Sequence, residues 1–154
     1  MVPQHPDLDA VAFLLGTWRG EGIGEYPGVE PFGFTEELTF EHVGDAFLLV
    51  TESAWTPDGE PLHFERGTLR TLGDGRVDLT LAHPIGVAEV SEGTIDGTSI
   101  ALCSTAVVRT STGSPVTEIE RRYDIADGRL TYDVAMATEG VDKTFHVRAA
   151  LTRE

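Results

Sequence analysis

The chain is poor in cysteine, in basic residues and in long apolar stretches. Its 154 residues include one cysteine, Cys103, so an internal disulfide is excluded and we expect a reducing, cytoplasmic compartment. Eleven Lys and Arg against 26 Asp and Glu give a formal net charge of −15, which disfavours nucleic acid and anionic membrane surfaces as partners. No apolar run approaches the roughly 20 residues of a membrane-spanning helix. The first residues show neither the basic nor the apolar region of a secretory signal, so we expect none.

The length suits a single domain over residues 1–154. Residues 1–6 are expected to be a loose tail, because Pro3 and Pro6 block regular structure. Residues 7–15 carry the one helix signal, with apolar side chains at helical spacing and Gly16 as the terminating residue. We expect this short helix to cover one end of a sheet structure.

The rest of the chain alternates short strand patterns with turn signals, and its 17 glycines are spread evenly along it. The predicted strands cover residues 18–25, 31–42, 46–55, 61–72, 76–82, 86–95, 98–108, 116–125, 129–138 and 144–152. Because nearly all connections are short, the pattern favours an up-and-down antiparallel β-barrel of about ten strands. A barrel wider than eight strands encloses a cavity, so the fold predicts a protein that binds a small molecule.

The first strand opens on the segment 16–22, GTWRGEG, in which Gly16, Gly20 and Gly22 surround Trp18. Glycine permits a sharp bend or the close approach of another strand. A large aromatic side chain between such glycines is typical of the closed end of a small barrel, which Trp18 would fill.

Two further patterns concern single side chains. Glu36 interrupts the apolar face of the second strand, so that face is not a uniformly dry core. Glu36 and Glu37 cannot act together as an acid/base pair, because adjacent strand residues point to opposite faces. Cys103 follows Ile100 and Leu102, and we expect it to be a small buried apolar residue.

Taken together, these motifs resemble the nitrobindin family over almost the whole chain. After the GTWRGEG segment come Tyr26-Pro27, Pro31-Phe32, Glu36-Glu37, His42-Val43-Gly44, Pro61-Leu62-His63, Ala82-His83-Pro84, Arg122-Tyr123, Met136-Ala137 and His146. The glycine motif alone is weak. Its combination with a histidine about eight residues before the C-terminus is much more specific.

The resemblance implies a ten-stranded barrel, similar to lipocalins and fatty-acid-binding proteins, that holds one haem b per chain at its mouth. It implies His146 as the axial ligand of the iron, with His63, Leu62 and Met136 in the haem pocket and Gly16, Trp18, Gly20 and Gly22 as scaffold. The implied activity is isomerisation of peroxynitrite to nitrate at ferric iron, with no catalytic side chain beyond the haem iron, together with nitric oxide binding. The implied assembly is a monomer or weak homodimer.

Some family members have a lysine assigned to haem contact between positions matching 104 and 118. This chain is shorter there and has TSTGS at residues 110–114. The resemblance therefore implies no lysine contact in this chain.

Alternation alone leads to a different interpretation of His146. It groups this residue with Thr144 and Arg148, opposite an apolar face that contains Val147 and Leu151. On that pattern His146 is a surface residue, unless a bulge or a wide barrel with a polar interior reverses it.

The other candidates have plain structural interpretations too. His63 fits either a polar strand position or a pocket, and Met136 by pattern is core packing. His83 before Pro84 is expected in a turn, and His42 before the Gly-Asp turn is expected to be exposed.

The alternative function is a haem-free carrier of a small apolar ligand, with His146 on the surface. Fatty-acid carriers hold a carboxylate with an interior arginine. On this hypothesis Arg70, Arg109 or Arg148 would face inward.

Overall fold

The computed structural model describes residues 1–154, and ten antiparallel strands close into one barrel. Each strand pairs with its neighbours in sequence, and the first strand also pairs with the last. The predicted all-β, up-and-down barrel is confirmed. An N-terminal 3₁₀ helix covers Pro6–Leu14, and the strands are β1 Gly16–Tyr26, β2 Val29–His42, β3 Phe47–Trp55, β4 Pro61–Gly73, β5 Arg76–His83, β6 Val87–Asp96, β7 Ser99–Arg109, β8 Val116–Ala126, β9 Arg129–Thr138 and β10 Val141–Arg153.

Strand alternation determines which side chains enter the barrel. In β3 every second residue is buried, and these are Leu48, Val50, Glu52 and Ala54. In β2 the buried residues are Phe34, Glu36, Leu38 and Phe40, so the acidic side chain predicted to interrupt this face does point inward. The barrel interior is therefore apolar with a few acidic side chains within it.

Trp18 fills one end of the barrel, beneath the N-terminal helix. Its side chain is buried, and its indole Nε1 donates a hydrogen bond to the Leu14 carbonyl oxygen at 2.7 Å. The Arg153 guanidinium lies 4.5 Å from the centre of the indole ring. Leu8, Val11 and Leu14 of the helix join the same core, as expected of a helix that covers one barrel end.

Glycines in β1 allow the neighbouring strands to approach. A Cβ atom on Gly20 would lie 2.9 Å from the Leu151 Cα of β10, and one on Gly22 would overlap the Phe34 ring. Gly16 has a φ of +122°, a conformation that L side chains rarely adopt. The glycine segment thus lets β1 bend and pack between β2 and β10.

One local prediction is wrong. Cys103 is exposed, because Ile100 and Leu102 occupy the inward positions of β7 and the next residue points outward.

No helix of the chain combines the length and the apolar character that crossing a membrane requires.

Candidate functional site

The barrel encloses one large cavity, of about 260 Å³, at the end opposite Trp18. Its mouth is formed where β1, β9 and the β5–β6 turn meet the starts of β2, β4 and β10. Side chains near the mouth are mainly apolar or aromatic, whereas acidic and basic side chains line the deeper wall. The lining residues are Tyr26, Phe32, Phe34, Glu36, Leu38, Val50, Glu52, Ala54, Leu62, His63, Glu65, His83, Ile85, Arg121, Tyr123, Tyr132, Val134, Met136, His146 and Val147.

His146 reaches this cavity because of an irregularity in β10. Phe145 pairs with Ala135 and Val147 pairs with Val134, so β10 has one more residue than β9 at this point. An extra residue of this kind is a β-bulge, which redirects side chains. The bulge allows both His146 and Val147 to line the cavity. The surface position that alternation indicates for His146 is therefore wrong.

The imidazole of His146 is held in one tautomer. Its Nδ1 lies 2.9 Å from the Glu25 carbonyl oxygen, and because a carbonyl can only accept, Nδ1 carries the proton and donates. Burial lowers the pKa of His146, which the hydrogen bond to Glu25 opposes only in part. The Tyr26 ring meets the imidazole edge to face, with 4.5 Å between ring centroids. A neutral imidazole with a free Nε2 lone pair results.

The other predicted pocket residues are brought to the same cavity. Leu62 and His63 lie at the start of β4, and Met136 lies near the end of β9. Leu62 is 42% exposed at the rim, whereas Met136 is half-buried. The structure therefore places all four predicted cofactor-binding residues around one space.

Residues 110–115 connect β7 to β8 without a lysine. The chain's one lysine, Lys143, pairs on the outer surface with Glu118 and Glu120, at 3.2 and 2.6 Å. No lysine lines the cavity.

Arg121 organises a charged cluster on the deeper wall that the sequence interpretation missed. Its guanidinium donates to Glu89 at 2.8 and 2.9 Å and to Glu65 at 2.9 Å. His83 joins the cluster through Nε2, which lies 3.1 Å from Glu89 Oε1. Its side chain is buried at the end of β5, so the prediction that His83 is a turn residue is wrong.

The cluster keeps its carboxyl groups ionised. Burial by itself would raise the pKa of Glu89, but the Arg121 charge and the hydrogen bond from His83 lower it to about 2. Burial would raise the pKa of Glu65 as well, but the Arg121 charge and the hydrogen bond from His63 hold it well below its usual range. Ser91 also donates to Glu89, at 2.8 Å. The inward arginine is thus already matched by two carboxylates.

A second acidic pair, Glu36 and Glu52, adjoins the cluster, because Glu52 on β3 is the cross-strand neighbour of Glu65 on β4. Tyr132 donates its hydroxyl to both oxygens of Glu36, at 2.5 and 2.6 Å. Burial raises the pKa of Glu36 to about 7 and that of Glu52 to about 11. Glu52 Oε2 has no hydrogen-bond partner. Glu52 is therefore protonated at neutral pH, and the pair carries at most one negative charge.

The remaining residues named from sequence lie outside the site. Arg70, Arg109 and Arg148 point outward and pair with acidic residues of the barrel surface. None of them supplies the inward arginine that the carrier hypothesis requires. His42 is half-buried at the far end of β2, not exposed as predicted, and does not line the cavity.

Comparison with known proteins agrees with this architecture. Residues 7–153 match the family described as THAP4-like, heme-binding beta-barrel domain. A protein of Mycobacterium ulcerans named peroxynitrite isomerase 2 is 41% identical over 97% of this chain and 96% of its own length. A protein of Nocardia farcinica named peroxynitrite isomerase is 40% identical over 99% of this chain and 94% of its own length.

A solved structure shares the fold closely. The crystal structure of Rv2717c from M. tuberculosis superimposes with a TM-score of 0.92 at 38% identity, and covers 99% of each chain. The family match spans nearly the whole barrel and includes both the glycine segment and His146. The resemblance noted in the sequence is thereby confirmed, and the chain belongs to the family of THAP4-like, haem-binding β-barrel domains.

Proposed function

We propose that this protein holds one haem b at the mouth of its barrel, with His146 as the axial ligand of the iron, and isomerises peroxynitrite to nitrate. The observation that carries the proposal is the tautomer of His146 and the position of its Nε2 in the cavity. Its Nδ1 is engaged by the Glu25 carbonyl oxygen, and its Nε2 is free within a cavity that is apolar around it. Haem iron takes a neutral imidazole nitrogen as its proximal ligand.

The residues of the cavity fit this cofactor. The apolar side chains of Phe32, Leu62, Ile85 and Met136 surround the mouth, where a flat hydrophobic macrocycle would be shielded from water. The Glu25 carbonyl oxygen fixes the ring orientation of His146 and increases its basicity as a ligand.

The bound haem would supply a ferric Lewis acid with an open coordination position. The chain itself has a small task in this reaction, because peroxynitrite and nitrate have the same atoms and the same charge. No net proton or electron is needed from a side chain. The deeper wall suits such a reaction, since Arg121 is already neutralised by Glu65 and Glu89. The cavity walls would confine reactive fragments until they recombine.

The same proposal extends to nitric oxide binding, to a monomer or weak homodimer in solution, and to a cytoplasmic location. Nitric oxide is a small neutral ligand that an apolar cavity admits. Ring closure of the sheet leaves no strand edge for a partner chain to extend.

The test is a haemin titration of the purified protein, followed by its Soret absorption, with His146→Ala and the control variant His42→Ala alongside. His42 lies at the end of β2 and does not line the cavity. We expect saturation near one haem per chain in the parent and the control, with loss of binding or a changed spectrum in His146→Ala. Equal titrations in all three proteins would refute His146 as the ligand.

Activity is then measured by stopped-flow decay of peroxynitrite, with nitrate yield as the second readout. Haem-loaded parent protein should accelerate the decay and convert peroxynitrite to nitrate, whereas haem-free protein should do neither. A parent protein that binds no haem would refute the proposal and favour the haem-free carrier.

A further inference from the structure

We propose that the part of the cavity wall formed by β4 and β5 contains a zinc site made of His63, Glu65 and His83. All three side chains line the cavity, and they come from two adjacent strands, β4 and β5. The site shares the cavity and His63 with the predicted haem pocket, but it does not include His146 and does not rest on the proposed function.

The three donor atoms have the spacing of metal ligands. His63 Nε2 lies 3.1 Å from Glu65 Oε1, His83 Nδ1 lies 3.3 Å from the same oxygen, and the two nitrogens are 3.4 Å apart. Tetrahedral zinc with bonds of roughly 2.0–2.1 Å separates its ligand atoms by about 3.4 Å. The triangle therefore has almost the size of one face of a zinc tetrahedron.

The hydrogen bonds of the cluster point to a cation between these atoms. Glu89 accepts from Arg121 and Ser91, so His83 Nε2 must donate to it as well. A neutral His83 then presents an Nδ1 lone pair to Glu65 Oε1, which is also an acceptor. His63 Nε2 can donate a proton to only one of these two acceptors. A metal ion would satisfy all three lone pairs at once.

Glu89 also acts as the outer partner that zinc-binding histidines usually have. A carboxylate that accepts from the second ring nitrogen fixes the tautomer and orientation of the imidazole. Here Glu89 is itself fully buried and held by Arg121. His83 is thus oriented for ligation before any metal arrives.

The charge of the cluster accommodates a dication. With neutral histidines, Glu65 and Glu89 against Arg121 leave one net negative charge. Arg121 shares the Glu65 oxygen at 2.9 Å, which weakens this ligand. Three protein ligands facing a cavity leave the fourth position for water, as in zinc sites with an open position. The favoured occupant is therefore a cation of intermediate softness, such as Zn²⁺, which accepts both nitrogen and oxygen ligands.

The experiment uses the full-length chain, stripped with a chelator, dialysed against Zn²⁺ and analysed for bound zinc. The variants are His63→Gln and Glu65→Gln, and the matched controls are His42→Gln and His146→Gln. We expect one zinc per chain in the parent and both controls, and affinity at least ~10-fold weaker in the two ligand variants. Because His146→Gln should lose haem and keep zinc, failure of this inference and failure of the proposed function are distinguishable.

Co²⁺ in place of zinc gives a second readout that does not depend on a variant folding. The haem-free parent should show the intense visible bands of four-coordinate cobalt. Weak six-coordinate bands, or equal zinc uptake by the parent and His63→Gln, would overturn the inference. The three side chains would then be held only by their hydrogen bonds to one another and to Glu89.

Discussion

Replacing Arg121 with methionine should destabilise the barrel more than any other change at a single charge. The substitution keeps an unbranched side chain but removes four charge-assisted hydrogen-bond contacts, three to Glu89 and one to Glu65. It leaves two carboxylates without a cation, and their side chains are 0% and 13% exposed. Breaking a buried ion pair by removing one partner costs about 3–5 kcal/mol. That is a large fraction of the ~5–15 kcal/mol that holds a typical domain folded.

The assay is urea unfolding of the haem-free protein, followed by tryptophan fluorescence, since Trp18 is buried in the native state. The matched control is Arg122→Met, which removes the neighbouring, exposed arginine and its pair with Asp124 at 3.1 Å. An exposed ion pair contributes less than about 1 kcal/mol. We therefore expect a large loss in the free energy of unfolding for Arg121→Met and almost none for the control.

The pH dependence gives a signature that a simple packing defect lacks. In the parent, Arg121 lowers the pKa of Glu89 to about 2, so this group's stabilisation is complete above its ordinary pKa and is lost as the pH falls through about 2. In Arg121→Met the cation that offsets burial is gone, so the folded pKa rises above the ordinary value. A raised pKa costs stability as the pH rises through and above the ordinary carboxyl range.

The difference between the variant and the parent should therefore shrink from about pH 7 to about pH 5. A loss below ~1 kcal/mol at neutral pH, or a difference that grows on acidification, would refute this account of the cluster.

Three further predictions use other parts of the barrel. Burial raises the pKa of Glu52 to about 11, so the free energy of unfolding of the parent should fall as the pH rises above the ordinary carboxyl range. Urea unfolding of Glu52→Gln at several pH values should show a smaller fall, and an unchanged slope would contradict this. A Cβ on Gly67 would overlap the backbone carbonyl of Thr80, so Gly67→Ala should cost about 1–3 kcal/mol or more. Gly33→Ala, whose nearest neighbouring atom is 3.9 Å away, is the control and should stay within ~1 kcal/mol in the same unfolding assay. Exposed Cys103 should react with a thiol reagent at the rate of the unfolded chain; protection in the native protein would place it inside.

The fold was predictable because its signals are local. Short turns rich in glycine separate segments with a two-residue period, and together they specify a meander whose strands pair with their sequence neighbours. Trp18 at the closed end and Glu36 inside the barrel follow from the same period. The exposure of Cys103 follows from that period too, since Ile100 and Leu102 point inward on β7 and the next residue must point outward.

The candidate site was only partly predictable, for two physical reasons. His146 enters the cavity through a bulge, and a bulge is invisible to alternation because it breaks the period on which alternation depends. The charged cluster depends on pairing between strands that are distant in the chain. Glu65 and Arg121 lie on inward positions of β4 and β8. The sequence does not show which charged side chain each of them contacts inside the barrel, so their ion pair could not be predicted.

Closure of the sheet through β1 and β10 also constrains how the protein is made. The pairing joins Trp18 to Arg153, which come from opposite ends of the chain. During synthesis β1 therefore keeps one open edge until the final strand leaves the ribosome, and contacts between such distant segments form slowly. Because His146 lies on β10, a nascent chain has no completed mouth, and a truncated product lacks both the last wall and the histidine. Acquisition of any ligand in the mouth thus becomes a check that synthesis has passed β10.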